Sequence, residues 1–127
     1  MGEAKVSHLD EIEGMHGGIF KPIGSHLGVT AFGVNLESFP QNHEHYPEHD
    51  HAADGQEEVY IVISGRATLT IDDQEHDLRA GSVAYVPSGT KRRFTTPDAA
   101  VELIAVGGAP GTLFADIISA RQKAATT

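Results

Sequence analysis

Apolar positions along this 127-residue chain come in short groups rather than long stretches, and most of the groups alternate with polar positions. Residues 57–64 are dense in β-branched side chains, with Glu58, Tyr60 and Val62 on one face and Glu57, Val59 and Ile61 on the other, which predicts a strand. Gly65 interrupts it, after which Ala67, Leu69 and Ile71 alternate against Arg66, Thr68 and Thr70. The glycine break predicts a hairpin between the two runs. Turns are expected at Asp72-Asp73-Gln74, Arg79-Ala80-Gly81, Pro87-Ser88-Gly89 and Thr96-Pro97-Asp98, with strands over 75–78, 82–86, 91–96 and 100–106 between them. Turns that recur roughly every 8–12 residues suit an all-β sandwich or barrel.

The two ends read differently. Residues 1–18 are polar and glycine-dotted, an arm in which Leu9 and Ile12 offer a short amphipathic turn. Residues 19–37 carry Gly24, Gly28 and Gly33 and predict one or two bent strands. Beyond the glycine-rich stretch 107–111, Leu113, Phe114, Ile117, Ile118 and Arg121 fall at helical spacing. That stripe predicts a short C-terminal helix, fraying over 124–127, that packs on the barrel or on another subunit. The expected layout is one domain with an arm (1–18), a β-barrel (19–110) and a helix with tail (111–127), which suits a chain of this length.

Composition removes several partners. With 18 acidic against 9 basic residues, a net charge of −9, the surface repels phosphate backbones and anionic lipid, so neither nucleic acid nor membrane is an expected partner. There is no cysteine, so a metal must be held by imidazole and carboxylate. The N-terminus lacks an apolar export signal and no run approaches the ~18 apolar residues of a membrane span, which predicts a cytoplasmic protein.

The chemistry concentrates between His43 and Gly65. His49 and His51 flank Asp50 at i, i+2, so in an extended segment both imidazoles share a face. Glu58 opens the apolar strand beyond them. Two imidazoles and one carboxylate with open positions suit iron(II) and similar divalent ions. The bland reading is a solvated acidic loop. His43 and His45 form a second pair with the same internal spacing, set farther from Glu58 across Pro47. His76 alternates with Leu78 and has two readings, an inward position near one barrel end or, more often for a lone strand histidine, hydrogen-bonded structure.

With Glu58 followed after six residues by Gly65, and Gly81 followed by five residues, Pro87-Ser88-Gly89, two residues and Arg92, the sequence resembles the cupins over about residues 30–107. The resemblance implies a jelly-roll (double-stranded β-helix) barrel with a metal pocket held by His49, His51 and Glu58. It departs from the family in two places. Six residues rather than three or four separate His51 from Glu58, so the connection must bulge, and Glu57 or Gln56 competes with Glu58 for the inward position; the six-residue spacing to Gly65 favours Glu58. Arg92 stands where the family has its last histidine, and a guanidinium offers no lone pair to a metal. Arg92 either faces inward and grips an anionic ligand or pairs with an acid on the rim.

These readings converge on a small cupin, expected as a homodimer, that binds one divalent ion (Fe, Mn, Zn or Ni) and a small polar organic molecule. Arg92 and Tyr60 are the candidate catalytic groups, and Tyr60, Val62 and Phe94 the expected pocket walls. Dioxygenase, isomerase, decarboxylase and dehydratase chemistry all remain open. The alternatives are a non-catalytic sensor barrel and a metal-free acid-base enzyme using Arg92.

Overall fold

The computed structural model describes residues 2–125 and is built from seven antiparallel strands. In order come a 3-10 turn (Leu9–Glu11), β1 (Phe20–Lys21), α1 (Ile23–Leu27), β2 (Gly33–Phe39), β3 (Glu57–Ile71), β4 (Gln74–Arg79), β5 (Val83–Val86), β6 (Arg92–Thr95), β7 (Val101–Gly108) and α2 (Phe114–Ala125).

The long strand β3 belongs to both walls of the barrel. Its first half pairs with β7 and β5, its second half with β4 and β6. The changeover falls at a bulge between Val62 and Ser64, next to Gly65. Gly65 has φ +79, and a Cβ there would lie 1.8 Å from the Ala100 carbonyl oxygen. The hairpin expected at Gly65 is therefore corrected: the glycine bends one continuous strand from one sheet into the other. The chain reverses later, at Asp72 and Asp73, whose positive φ values of 46 and 67 form a two-residue hairpin turn.

A second correction concerns residues 19–37, where α1 intervenes between the two strands. Gly28, left-handed at φ 83, ends α1, and Gly24 lets the helix approach β2 at Val34. The core lies between the sheets. Tyr60, Val62, Leu69, Phe94 and Leu103 are each no more than 1% exposed, and the Tyr60 and Phe94 rings meet edge to face with centroids 4.9 Å apart. His76 is exposed on β4, opposite Leu69, and does not face inward. Tyr85 is likewise on the outer surface, donating to Glu57 at 3.1 Å.

The helical stripe finds its surface on the barrel. Ile117 is buried, while Phe114, Ile118 and Arg121 border the barrel mouth. Gly33 makes this docking fit, because a Cβ there would sit 2.6 Å from the Phe114 ring. The expected fraying over 124–127 falls partly on residues 126 and 127, which lie outside the described residues.

Candidate metal centre

The His-x-His segment is held extended by β6 and the turn before it. His49 and Arg92 exchange two backbone hydrogen bonds, 3.1 and 2.9 Å, and the His51 amide donates to the Ser88 carbonyl at 2.7 Å. Extension puts both imidazoles on one face, with ring centroids 5.1 Å apart. Glu58, at the start of β3, reaches the same point: its Oε1 is 3.2 Å from His51 Nε2. One donor atom from each of His49, His51 and Glu58 lies within 4.8 Å of the others. Glu57 points outward to Tyr85, so Glu58 occupies the inward position and the Glu57 alternative is set aside.

Each imidazole is oriented from behind. His49 Nδ1 donates to the Pro47 carbonyl at 3.0 Å, and His51 Nδ1 to the Asp54 carboxylate at 3.2 Å. Carbonyl and carboxylate oxygens only accept, so each Nδ1 carries its hydrogen and the Nε2 atoms turn to the cluster. Asp54 is in turn gripped by the Gln56 amide and side chain and by Arg121 of α2 at 2.6 Å. Burial pushes the Asp54 carboxyl up, but these donors outweigh it and hold it well below the usual range. The long His51–Glu58 connection thus supplies Asp54 and Gln56, and Gly55, at φ +73, closes its turn.

Glu58 is held ionised. Burial raises its pKa, but hydrogen bonds from His51 and Tyr60 and the charges of His51 and Arg92 outweigh this and lower it. Its hydrogen bond keeps His51 protonated to higher pH than usual. The Tyr60 hydroxyl donates to Glu58 Oε1 at 2.7 Å, and burial raises its pKa far above the ordinary phenol range.

Arg92 faces inward and is completely buried, 3.8 Å from Glu58, with Nη2 also donating to the carbonyls of Val86 and Pro87. The rim alternative for Arg92 is corrected by this burial. Nor does its guanidinium border the cavity: Arg92, Tyr60, Val62 and Phe94 all lie in the packed layer behind Glu58. The expectation that Tyr60, Val62 and Phe94 wall the pocket is corrected accordingly, because their bulk fills the barrel interior.

A cavity of about 580 Å³ opens onto the cluster. β2 contributes Asn35, Glu37 and Phe39 to its wall, the following loop contributes His43, His45 and Tyr46, and α2 contributes Phe114, Ile118 and Arg121. His43 stacks on Phe39 at 5.0 Å and borders the cavity without joining the donor cluster. Burial, followed by the neighbouring Glu58 charge, pushes the Glu37 carboxyl up to about 7. Burial also raises Tyr46, which lies within the influence of both Glu37 and Glu58.

Sequence reasoning missed Glu37, Asp54 and Arg121 as members of the site, whereas Gln56, a rival of Glu58 in that reading, is buried and lines the cavity beside it. The signal for Glu37 is a carboxylate alternating with Asn35 and Phe39 on a predicted strand. Asp54 lies inside the extra length of the loop, where no spacing marks it.

The family description "Cupin_2: Cupin domain" matches residues 35–107. A crystal structure of a cupin protein from Bacteroides fragilis is 19% identical, with a TM-score of 0.71 over 87% of this chain and 88% of that one. A structure described as a sugar phosphate isomerase from a cupin superfamily, from Silicibacter pomeroyi, is 25% identical with a TM-score of 0.71 over 86% and 78%. An uncharacterized protein of Streptomyces coelicolor is 46% identical over 39 residues, 31% of this chain and 37% of that protein. The matched stretches span only 37% and 55% of the two curated relatives' lengths.

Proposed function

Because the chain belongs to the cupin family, with more than half its length matched, we propose that it holds one divalent ion through His49, His51 and Glu58 and acts on a small polar or anionic organic molecule in the adjoining cavity. The observation that carries this reading is the convergence of three donors: one ligand atom from each of His49, His51 and Glu58 lies within 4.8 Å of the others, and His51, its Nδ1 tied to Asp54, brings its Nε2 within 3.2 Å of Glu58. The donor set of two nitrogens and one oxygen suits Fe, Mn, Zn or Ni. When bound, such an ion supplies a Lewis acid that polarises a carbonyl or carboxylate.

The protein's own groups do the rest. Arg92 and Tyr60 act through Glu58, keeping its carboxylate charged and aimed at the cluster. Asp54 fixes His51, and Arg121 ties that arrangement to α2 at the mouth. Sugar phosphate, which two of the similar structures are named for, is disfavoured here because Arg121, the one arginine among the described residues that borders the cavity, is already paired with Asp54. A small carboxylic acid or hydroxy acid fits the charge better.

One observation favours the non-catalytic alternative: the buried cation of Arg92 stands close to Glu58 where the family has a further histidine, which weakens cation binding, while its burial away from the cavity disfavours a metal-free enzyme using Arg92. Titrating chelator-treated protein with Zn²⁺, Mn²⁺, Fe²⁺ and Ni²⁺ while recording Tm separates these readings. A rise that saturates at one ion per chain supports the metal site; no shift with any of the four removes it. Turnover screening of the loaded protein with small organic acids then separates enzyme from carrier.

Pairing of two copies is proposed through the outer face of β3 and β5. Val59 and Ile61 lie directly across from Tyr85 and Val83, and all four are 37–71% exposed. No described helix is long and apolar enough to cross a membrane.

A further inference from the structure

Among the described residues, the buried side-chain atoms lacking a hydrogen-bond partner belong to two groups, Glu37 and Arg92. Arg92 is sealed behind Glu58. Glu37 instead stands in the cavity wall with its Oε2 unsatisfied. A buried polar atom left without a partner costs stability; Oε2 itself is sealed from solvent, so it is through the rest of the carboxyl, which borders the cavity, that a ligand can meet this group.

The surroundings of Glu37 define that partner. On β2 it is flanked along the wall by Asn35 and Phe39, and Ala105 of β7, opposite Asn35, lines the same wall. The charged and titratable groups acting on it are Glu58 of β3 and Tyr46 of the following loop. Glu58 is paired with His51 and Arg92, and Glu37 Oε2 finds no hydrogen-bond partner among the described residues. We propose that Glu37 is a specificity-determining residue whose carboxyl O–H donates to an acceptor oxygen, carbonyl or hydroxyl, of a small oxygenated acid whose other end reaches the metal. This deepens the functional reading above and rests on it. In the metal-free protein the proton is available because burial, followed by the Glu58 charge, holds this carboxyl up to about 7.

The probes are glycolate, glyoxylate and pyruvate, titrated calorimetrically into Zn²⁺-loaded wild type, Glu37→Gln and Glu37→Met. Gln keeps a donor of the same length, whereas Met keeps the bulk and removes it. At least one acid should bind the wild type, Glu37→Gln should stay within about twofold and Glu37→Met should weaken binding roughly tenfold, with Zn²⁺ stoichiometry unchanged throughout. Difference infrared spectra of wild type at pH 6 should show a protonated-carboxyl band that Glu37→Gln lacks and that shifts when the acid is added. Equal binding by Glu37→Met, no such band, no shift on addition, or failure of all three acids to bind would overturn the proposal. Should the wild type take up no Zn²⁺, the metal reading fails, and the infrared arm on metal-free protein still decides whether the Glu37 proton meets the acid.

Discussion

Two glutamates border the same cavity, and their pKa values are pushed in opposite directions. Glu58 receives the Tyr60 hydroxyl, faces His51 at 3.2 Å and is backed by Arg92, so it stays ionised despite burial. Glu37, two strands away in the same sheet, is buried with one oxygen unpartnered and is pushed up to about 7. Burial acts in the same direction on both. The neighbours decide the outcome, and a pair of carboxyls driven apart in this way assigns one to holding charge and the other to holding a proton.

The strongest way to break that contrast is Glu58→Gln. It strips the counter-charge from a fully buried guanidinium and one donor from the metal cluster. Metal content should vanish and stability should fall by about 3–5 kcal/mol in chemical denaturation. Undiminished stability would show that Arg92 does not depend on Glu58.

The Glu37 side is tested through pH. Its folded-state pKa, about 7, lies above the ordinary 4.5, so the folded protein keeps a proton that the unfolded chain releases between those values. The stabilisation is complete below about 4.5 and is lost as pH rises through about 7. Comparing denaturation of metal-free wild type and Glu37→Gln across pH 4–8 should show wild type losing up to ~3 kcal/mol relative to the variant. Parallel curves would mean that Glu37 titrates normally.

Asp54→Asn sharpens the account of how His51 is aimed. It leaves the three donors in place but weakens the acceptor behind one imidazole and the tie to Arg121. Zn²⁺ affinity measured by chelator competition should drop roughly 10–100-fold; no change would make Asp54 a loop residue only. Arg92→His should produce a smaller gain in metal retention, by removing a cation and adding a donor at an inward position. Unchanged retention after chelator dialysis would mean that residue 92 does not influence the cluster.

Much of this arrangement is legible in the amino-acid sequence. Alternation along β3 puts Glu57 and Glu58 on opposite faces, and the six-residue spacing to Gly65 picks Glu58 as the one facing in. Turn chemistry places the reversals at Asp72-Asp73 and Pro87-Ser88-Gly89. Gly65 misleads, since a glycine with positive φ serves a bulge as readily as a hairpin, and only the contact with Ala100 distinguishes them. The helix at Ile23–Leu27 is hidden by Gly24, whose value lies in close packing rather than in helix propensity. Asp54, Arg121 and the burial of Arg92 depend on barrel closure and the docking of α2, which no local pattern records.

The central claim, a divalent ion held between two imidazoles and one carboxylate, is met most directly by elemental analysis of wild type and the His49→Ala/His51→Ala double variant, both purified without added metal. The account predicts a divalent ion in the wild type and none in the double variant, with the circular dichroism of the barrel unchanged. Full occupancy in the double variant, or a wild type free of divalent ions that gains none on supplementation, would contradict it.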